Sequence, residues 1–491
     1  MENVFFNSDI ITTSSLKDIC ILKKKSYLRF DNRTMKYTNQ TIMSKISFSK
    51  AFWVANIVEL LERMAYYAVF IVITLYLSNI LGFSDIEAGW ISGLFSGFLY
   101  FLPTFSGAIA DKIGFRKSMM LAFSLLTLGY AGLGILPTLC ENAGLVSYSF
   151  DTEFTGLRES AAKWGIIPIL ILVMIGGSFI KSVISGTVAK ETTSETRAKG
   201  FSLFYMMVNI GAFTGKMVVD PLRKSMGSEG LVVLNYFSAA MTFLALIAIY
   251  FFYKSTEHQG EGKSMHDIAK SLVRVCKNYK LVLLTLIVSG FWLVQGQLYA
   301  TMPKYVLRMA GEGASPAWYA NVNPFVVVIT VNLVTRIMAK KSALSSITVG
   351  MFIIPISALI MAAGNLFPSN ELILGMHPIA FFMVTGIVFQ ALSETFISPR
   401  FLEYFSHQAP KGEEGMYLGF SHLHSFFSYI FGFAISGVLL SKYCPDPALF
   451  PTHEAWAEAA QNAHYIWFVF AGIATIAAIS LVIFGKLTKE K

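Results

Sequence analysis

The chain has 491 residues, of which 54% are hydrophobic and 14% charged, where a soluble domain carries about 25% charged residues. That balance, with 42 Phe and 37 Gly, excludes an ordinary soluble domain and indicates a membrane protein. The net charge of +9 reads as an orientation signal and not as nucleic-acid binding, because Lys and Arg sit in short connections between apolar runs; four scattered cysteines lack metal spacing, and no nucleotide loop or nucleophile constellation indicates an enzyme.

Residues 1–45 are polar, with Lys23-Lys24-Lys25 and no apolar core suited to a cleaved signal. They read as a disordered cytoplasmic leader, with Met35 and Met43 as alternative starts. A span takes about 20 mostly apolar residues. That rule predicts twelve, over 50–80, 88–111, 116–139, 164–190, 198–220 and 230–253, then 280–308, 317–339, 343–366, 371–405, 413–441 and 463–485. They group as an N-terminal bundle, 46–253, and a C-terminal bundle, 280–485, with a charged linker at 254–279 and a tail at 486–491. The linker is too short for two more spans, and it holds an amphipathic stretch near Met265–Cys276. Lys and Arg concentrate in alternate connections, which places both termini in the cytoplasm. Cys140 and Cys444 then fall on one side of the membrane, where a disulfide is open to them.

In the first span Glu59, Glu62, Arg63 and Tyr66 recur at i, i+3, i+4 and i+7, which puts them on one helix face. A charge at a bilayer centre costs about 2.5–3.5 kcal/mol even on the lenient scale. The stripe therefore needs an aqueous cavity or partners inside the bundle; a solvated face at the membrane edge is the alternative. After the second span, Gly107 and Gly114 permit a tight turn and a close helix approach, and Asp111 can pair with a base or cap a helix beside Arg116. Lys181 lies mid-span after Gly176-Gly177 and calls for a carboxylate, with Glu59 or Glu62 as candidates. Glu394, inside the tenth span, meets the same requirement from the other half. Bases at one end and an acid at the other suit a zwitterion such as a peptide or an amino acid. His422 and His424, two apart on the eleventh span, point in different directions. They are either proton carriers, since histidine titrates near neutral pH, or polar packing.

Several of these segments resemble one known family. Gly107 to Lys117 is similar to the loop signature of the major facilitator superfamily. Glu59-Leu60-Leu61-Glu62-Arg63-Met64-Ala65-Tyr66-Tyr67 resembles the first-span signature of the proton-dependent oligopeptide transporters, with Met64 where Phe is usual. Phe204-Tyr205-Met206-Met207-Val208-Asn209-Ile210-Gly211 resembles their second signature, and Asn323-Pro324, Glu394 with Ser398-Pro399, and Tyr100 resemble further members of the pattern. The resemblance covers residues 50–485. It implies an all-α membrane protein with the twelve-helix major facilitator fold in two six-helix halves. It also implies proton-coupled uptake of di- and tripeptides across the inner membrane by a monomer without cofactor or metal.

On that pattern Glu59, Glu62, Arg63 and Lys181 couple protons to binding. Arg63 and Lys181 take the peptide carboxylate, Asn209, Asn323 and Glu394 its backbone and amino end, and Tyr66, Tyr67 and Tyr100 line the pocket. Asn209 and Asn323 as plain interhelical hydrogen bonds, and the tyrosines as packing, stay open. One departure is plain: Gly296 stands where the family's seventh span carries an acid. Transport of another small zwitterion or anion, and a non-transporting sensor of the same fold, are the competing readings.

Overall fold

The computed structural model describes residues 48–148, 157–158, 160–193, 196–254, 270, 273–408 and 420–488, with only the backbone described at Ala108, Asp111, Ala198 and Ser406. The expected leader, most of the expected linker and the last three residues of the tail lie outside the described residues. Eleven described helices are long and apolar enough to cross a membrane, and one bent pair makes twelve. The bent pair is α1, Lys50–Phe70 followed by Ile73–Ile80 at 44°. Then come α2 (Asp85–Gly107), α3 (Phe115–Asn142), α4 (Ala161–Lys190), α5 (Lys199–Met226) and α6 (Ser228–Phe252). The second half holds α7 (Tyr279–Ala300), α8 (Pro316–Met338), α9 (Ala343–Leu366), α10 (Pro378–Phe405), α11 (Leu423–Tyr443) and α12 (His453–Leu487). This is the twelve-helix major facilitator fold in two six-helix halves.

Local chemistry sets the boundaries. Ser49 caps α1 by accepting from the Phe52 amide, and Ser84 with Glu87 forms a reciprocal capping box at α2. Gly114 turns the chain into α3 at φ 88°, and Gly82 does so before α2 at φ 72°. A Cβ on Gly82 would also stand 2.8 Å from the Arg158 amide nitrogen, so both backbone angle and space favour glycine there. The tenth span begins at Pro378 and not at 371: residues 364–377 form a short 3-10 turn and a tight bridge between Ile373 and Met376. Proline at the first helical position and Pro368 upstream account for the delay. Cys140 and Cys444 are both buried and free, so no disulfide joins them.

In the first half α1 packs on α5 and α6, and α3 on α4 and α6; in the second, α9 packs on α10 and α12, and α7 on α11 and α12. The halves meet chiefly along α2 and α11. There Gly89, Gly93 and Gly97 form a stripe at four-residue spacing. A Cβ on Gly89 would lie 2.5 Å from the Phe433 carbonyl oxygen, and one on Gly93 would lie 2.9 Å from that of Ile430. With lipid as apolar as the helices, close backbone approach of this kind is what holds them.

At the membrane face bearing the Gly82 and Gly311 turns, polar contacts lock the halves. Asp85 Oδ1 is 2.7 Å from Lys304 Nζ, and Asp85 Oδ2 is 2.7 Å from Arg308 Nη1. Lys304 also donates to Ser78 Oγ at 2.6 Å, and Arg223 pairs with Glu312 at 2.6 Å. The Trp318 amide donates to Asp220 Oδ2 at 3.0 Å and its indole to the Met217 carbonyl at 3.2 Å. Toward the opposite face α5 and α8 leave Tyr205, Met206, Val328 and Ile329 exposed.

Replacing Gly93 by Leu is expected to overpack the α2–α11 contact, at about 1–3 kcal/mol, and lower the melting temperature of the detergent-solubilised protein. Gly472→Leu, at a position with nothing nearby, is the control that should melt as wild type. Equal melting of the two variants would contradict this packing account.

Candidate functional site

The expected α1 stripe is buried and internally paired. Arg63 Nε lies 3.1 Å from Glu59 Oε1 and 2.5 Å from Glu62 Oε2, and all three side chains are buried. The Arg63 guanidinium also faces the Tyr66 ring, 5.5 Å from its centroid. The second signature's glycine explains how α5 comes so close: a Cβ on Gly211 would stand 2.6 Å from the Leu60 carbonyl oxygen and 2.7 Å from Arg63 Cβ. A solvated face at the membrane edge does not hold, since the stripe turns into the bundle.

Lys181 faces the same void as Glu62, Arg63, Tyr66 and Tyr130. Gly177, whose Cβ would meet Leu99 at 2.8 Å, lets α4 close on α2 one turn earlier. The expected carboxylate partner is not there. Among the described residues no carboxylate pairs with Lys181, because Arg63 takes both Glu59 and Glu62. The ammonium instead sits 3.3 Å from the centre of the Tyr100 ring, a cation–π contact. Tyr100 in turn stacks on Tyr429 of α11 at 5.2 Å and 18°. An aromatic bridge thus joins the halves beneath Lys181.

Across the chamber, Glu394 Oε2 accepts from Gln295 Nε2 at 2.8 Å and from Asn323 Nδ2 at 3.2 Å. Asn323 is therefore an interhelical contact to the acid. Tyr67 meets Tyr66 edge-on at 5.1 Å and tilts against Tyr299 of α7 at 6.3 Å, so an aromatic chain runs from Arg63 toward the second half. The helix of α7 breaks after Gln295, and Gln390 donates to the Val294 and Gln295 carbonyls near the break at 3.2 and 3.3 Å. At Gly296 a Cβ would stand 3.2 Å from the Trp292 carbonyl oxygen, a tight contact, and 3.7 Å from the Tyr429 ring.

Other expected residues fall elsewhere. Asn209 Nδ2 donates to the Tyr205 carbonyl of its own helix at 2.7 Å, so it is no interhelical bond. Arg116 Nη2 donates to the Tyr250 carbonyl of α6 at 2.8 Å, tying the loop to its own half. Gly107 comes close to Ser182 of α4, and the Asp111 side chain lies outside the described residues. His424 is buried in a stack with Trp292, 4.9 Å and 6°, and against Phe401 at 5.3 Å, which is polar packing. His422 is exposed, its ring 6.3 Å from that of His424. Residue patterning did not single out Gln295, Tyr299, Tyr429 or Lys216. Lys216 carried a legible signal, a lone base inside a span.

The family model of the Major Facilitator Superfamily matches residues 55–376. A dipeptide and tripeptide permease B of Photorhabdus asymbiotica is 22% identical over 446 residues, covering 78% of this chain and 86% of its own length. An uncharacterised major-facilitator transporter of Bacillus subtilis is 25% identical over 383 residues, covering 75% of this chain and 83% of its own. A peptide transporter of the proton-dependent oligopeptide group, solved with sulfate, superimposes with a TM-score of 0.66 at 17% identity, covering 91% of this chain and 97% of that one.

The buried triad predicts non-additive stability. Glu59→Gln or Glu62→Gln alone leaves Arg63 one counter-charge, whereas the double variant strands a buried guanidinium, at about 3–5 kcal/mol. Thermal unfolding in detergent should show the double variant destabilised well beyond the sum of the singles; a simple sum would refute the shared pairing.

Proposed function

Because this chain belongs to the Major Facilitator Superfamily, in which its similarities point to the proton-dependent oligopeptide transporters, we propose that it takes up di- and tripeptides with protons across the inner membrane. The observation that carries this reading is Arg63 held by two acids beside the void that Lys181 also lines, with Glu394 offered from the second half. A peptide offers a carboxylate and an ammonium at its two ends, and the chamber offers bases and an acid at its two ends.

The ion pairs suggest how protons enter. With Glu59 and Glu62 ionised, Arg63 is engaged on both sides and resists a ligand carboxylate. A proton on either acid removes one partner and frees guanidinium hydrogens for the peptide. Lys181, resting on Tyr100, needs no such release, so the switch centres on Arg63. Glu394 receives the peptide ammonium through the oxygen that Gln295 and Asn323 leave open, and the Asn209 amide oxygen accepts from the peptide backbone. Deprotonation toward the cytoplasm restores the Arg63 pairs and expels the peptide.

In this reading the face locked by Asp85, Lys304 and Arg308 is the outer one, and the structure is the inward-facing state of an alternating-access cycle. Both termini then lie in the cytoplasm, as the distribution of Lys and Arg favours. In the same reading the protein acts as a monomer.

The test is dialanine uptake into proteoliposomes under an inward proton gradient. Wild type should accumulate the peptide, and Glu62→Gln should lose gradient-driven accumulation by about a hundredfold while keeping peptide exchange across the membrane. Wild-type uptake that ignores acidification would remove the coupling. Since Gly296 stands where the family's seventh span carries an acid, Gly296→Glu is expected to steepen the dependence on external pH.

A further inference from the structure

Lys216 stands two turns beyond Asn209 on α5 and is 1% exposed. Among the described residues its ammonium makes one hydrogen bond, 3.4 Å long, to the Ala320 carbonyl oxygen at the start of α8. That oxygen is available for a local reason: residue 324, which would close the helical bond to it, is proline and has no N–H. The Tyr67 ring centroid lies 5.6 Å from the ammonium. Glu394 does not pair with it: its Oε2 accepts from Gln295 and Asn323 instead. An ammonium has three hydrogens to donate, so a buried one with a single long bond lacks partners. At membrane depth that is costly unless something else completes the set.

We propose that Lys216 is a carboxylate subsite of the chamber, and that it makes the transporter selective for substrates bearing two carboxylates, such as dipeptides with an acidic side chain. The charge balance points the same way. Glu59, Glu62 and Glu394 oppose Arg63, Lys181 and Lys216, so the fully ionised chamber is neutral. One proton on the Glu59–Glu62 pair makes it singly positive. A zwitterionic dipeptide leaves that charge unmatched, whereas one with a glutamate side chain cancels it. Without Lys216 the protonated chamber would be neutral and would match the zwitterion. Arg63 and Lys181 hold the main-chain carboxylate, Glu394 the ammonium, and Lys216 the side-chain carboxylate. The choice of peptide rests on the function proposed above; the carboxylate subsite does not.

Binding to the purified full-length protein is measured by thermal stabilisation with Ala-Glu, Ala-Ala, Ala-Lys and glutarate. Wild type should bind Ala-Glu about tenfold more tightly than Ala-Ala, and Ala-Lys least. K216M should lose about tenfold for Ala-Glu with Ala-Ala changed by less than about threefold, and K216R should keep the preference. K216Q serves the same comparison if K216M does not fold. Equal binding of Ala-Glu and Ala-Ala by wild type overturns the proposal with no variant needed, as does an unchanged ratio in K216M. If wild type binds no peptide, the proposed function fails and glutarate decides. Stabilisation by glutarate that K216M loses supports the subsite, and stabilisation that is absent or unchanged overturns it.

Discussion

A guanidinium enclosed by a lipid-embedded bundle must keep its counter-charges, and the organisation of this protein follows from how Arg63 meets that demand. Glu59 and Glu62 sit one turn and one residue before it, so the pairing is made within α1 before any tertiary contact forms. The rest of the site arranges itself around that satisfied pair. Gly211 lets α5 press against it, Tyr66 covers the guanidinium, and Lys181, left without an acid, lies on an aromatic face. Since Arg63 holds both acids, the three side chains form one coupled set and not separate charges.

The same economy governs the join between halves. Along α2 and α11 the helices meet through glycine and backbone oxygen near Gly89 and Gly93, and through aromatic rings where Phe98 meets Phe426 and Tyr100 stacks on Tyr429. Near the locked face the join is different: charged side chains from α2, α5 and the segment after α7 meet at hydrogen-bond distances. A close-packed apolar join and a polar clasp are mechanically distinct.

Much of this was legible in the sequence. Twelve spans, the α1 stripe, Lys181 and Glu394 all followed from periodicity and from the cost of charge in lipid, because those arguments concern one helix at a time. What failed concerned pairs of helices. Lys181 was expected to find a carboxylate, but Arg63 on the carboxylates' own helix reaches them first, and the Tyr100 ring, two spans away in the chain, takes the ammonium. Asn209 turned to its own backbone, a choice that side-chain rotamers make after packing. Gln295 gave no signal as a partner of Glu394, since an uncharged amide in a span is unremarkable until the acid is placed beside it. The tenth span started late for a reason visible in the residues, Pro378, outweighed in the hydropathy reading by the apolar run before it.

The segment that follows α7 has a consequence for how the molecule would let go of its locked state. It runs as short helical pieces, Gln297–Ala300 and Met302–Ala310, with Thr301 between them. The second piece carries both Lys304 and Arg308, and both grip the one carboxylate of Asp85. Two cations on one helical piece thus share a single anion, while Lys304 also holds Ser78 and Arg308 the Cys444 carbonyl. Any movement of this piece as a unit would break all four contacts together.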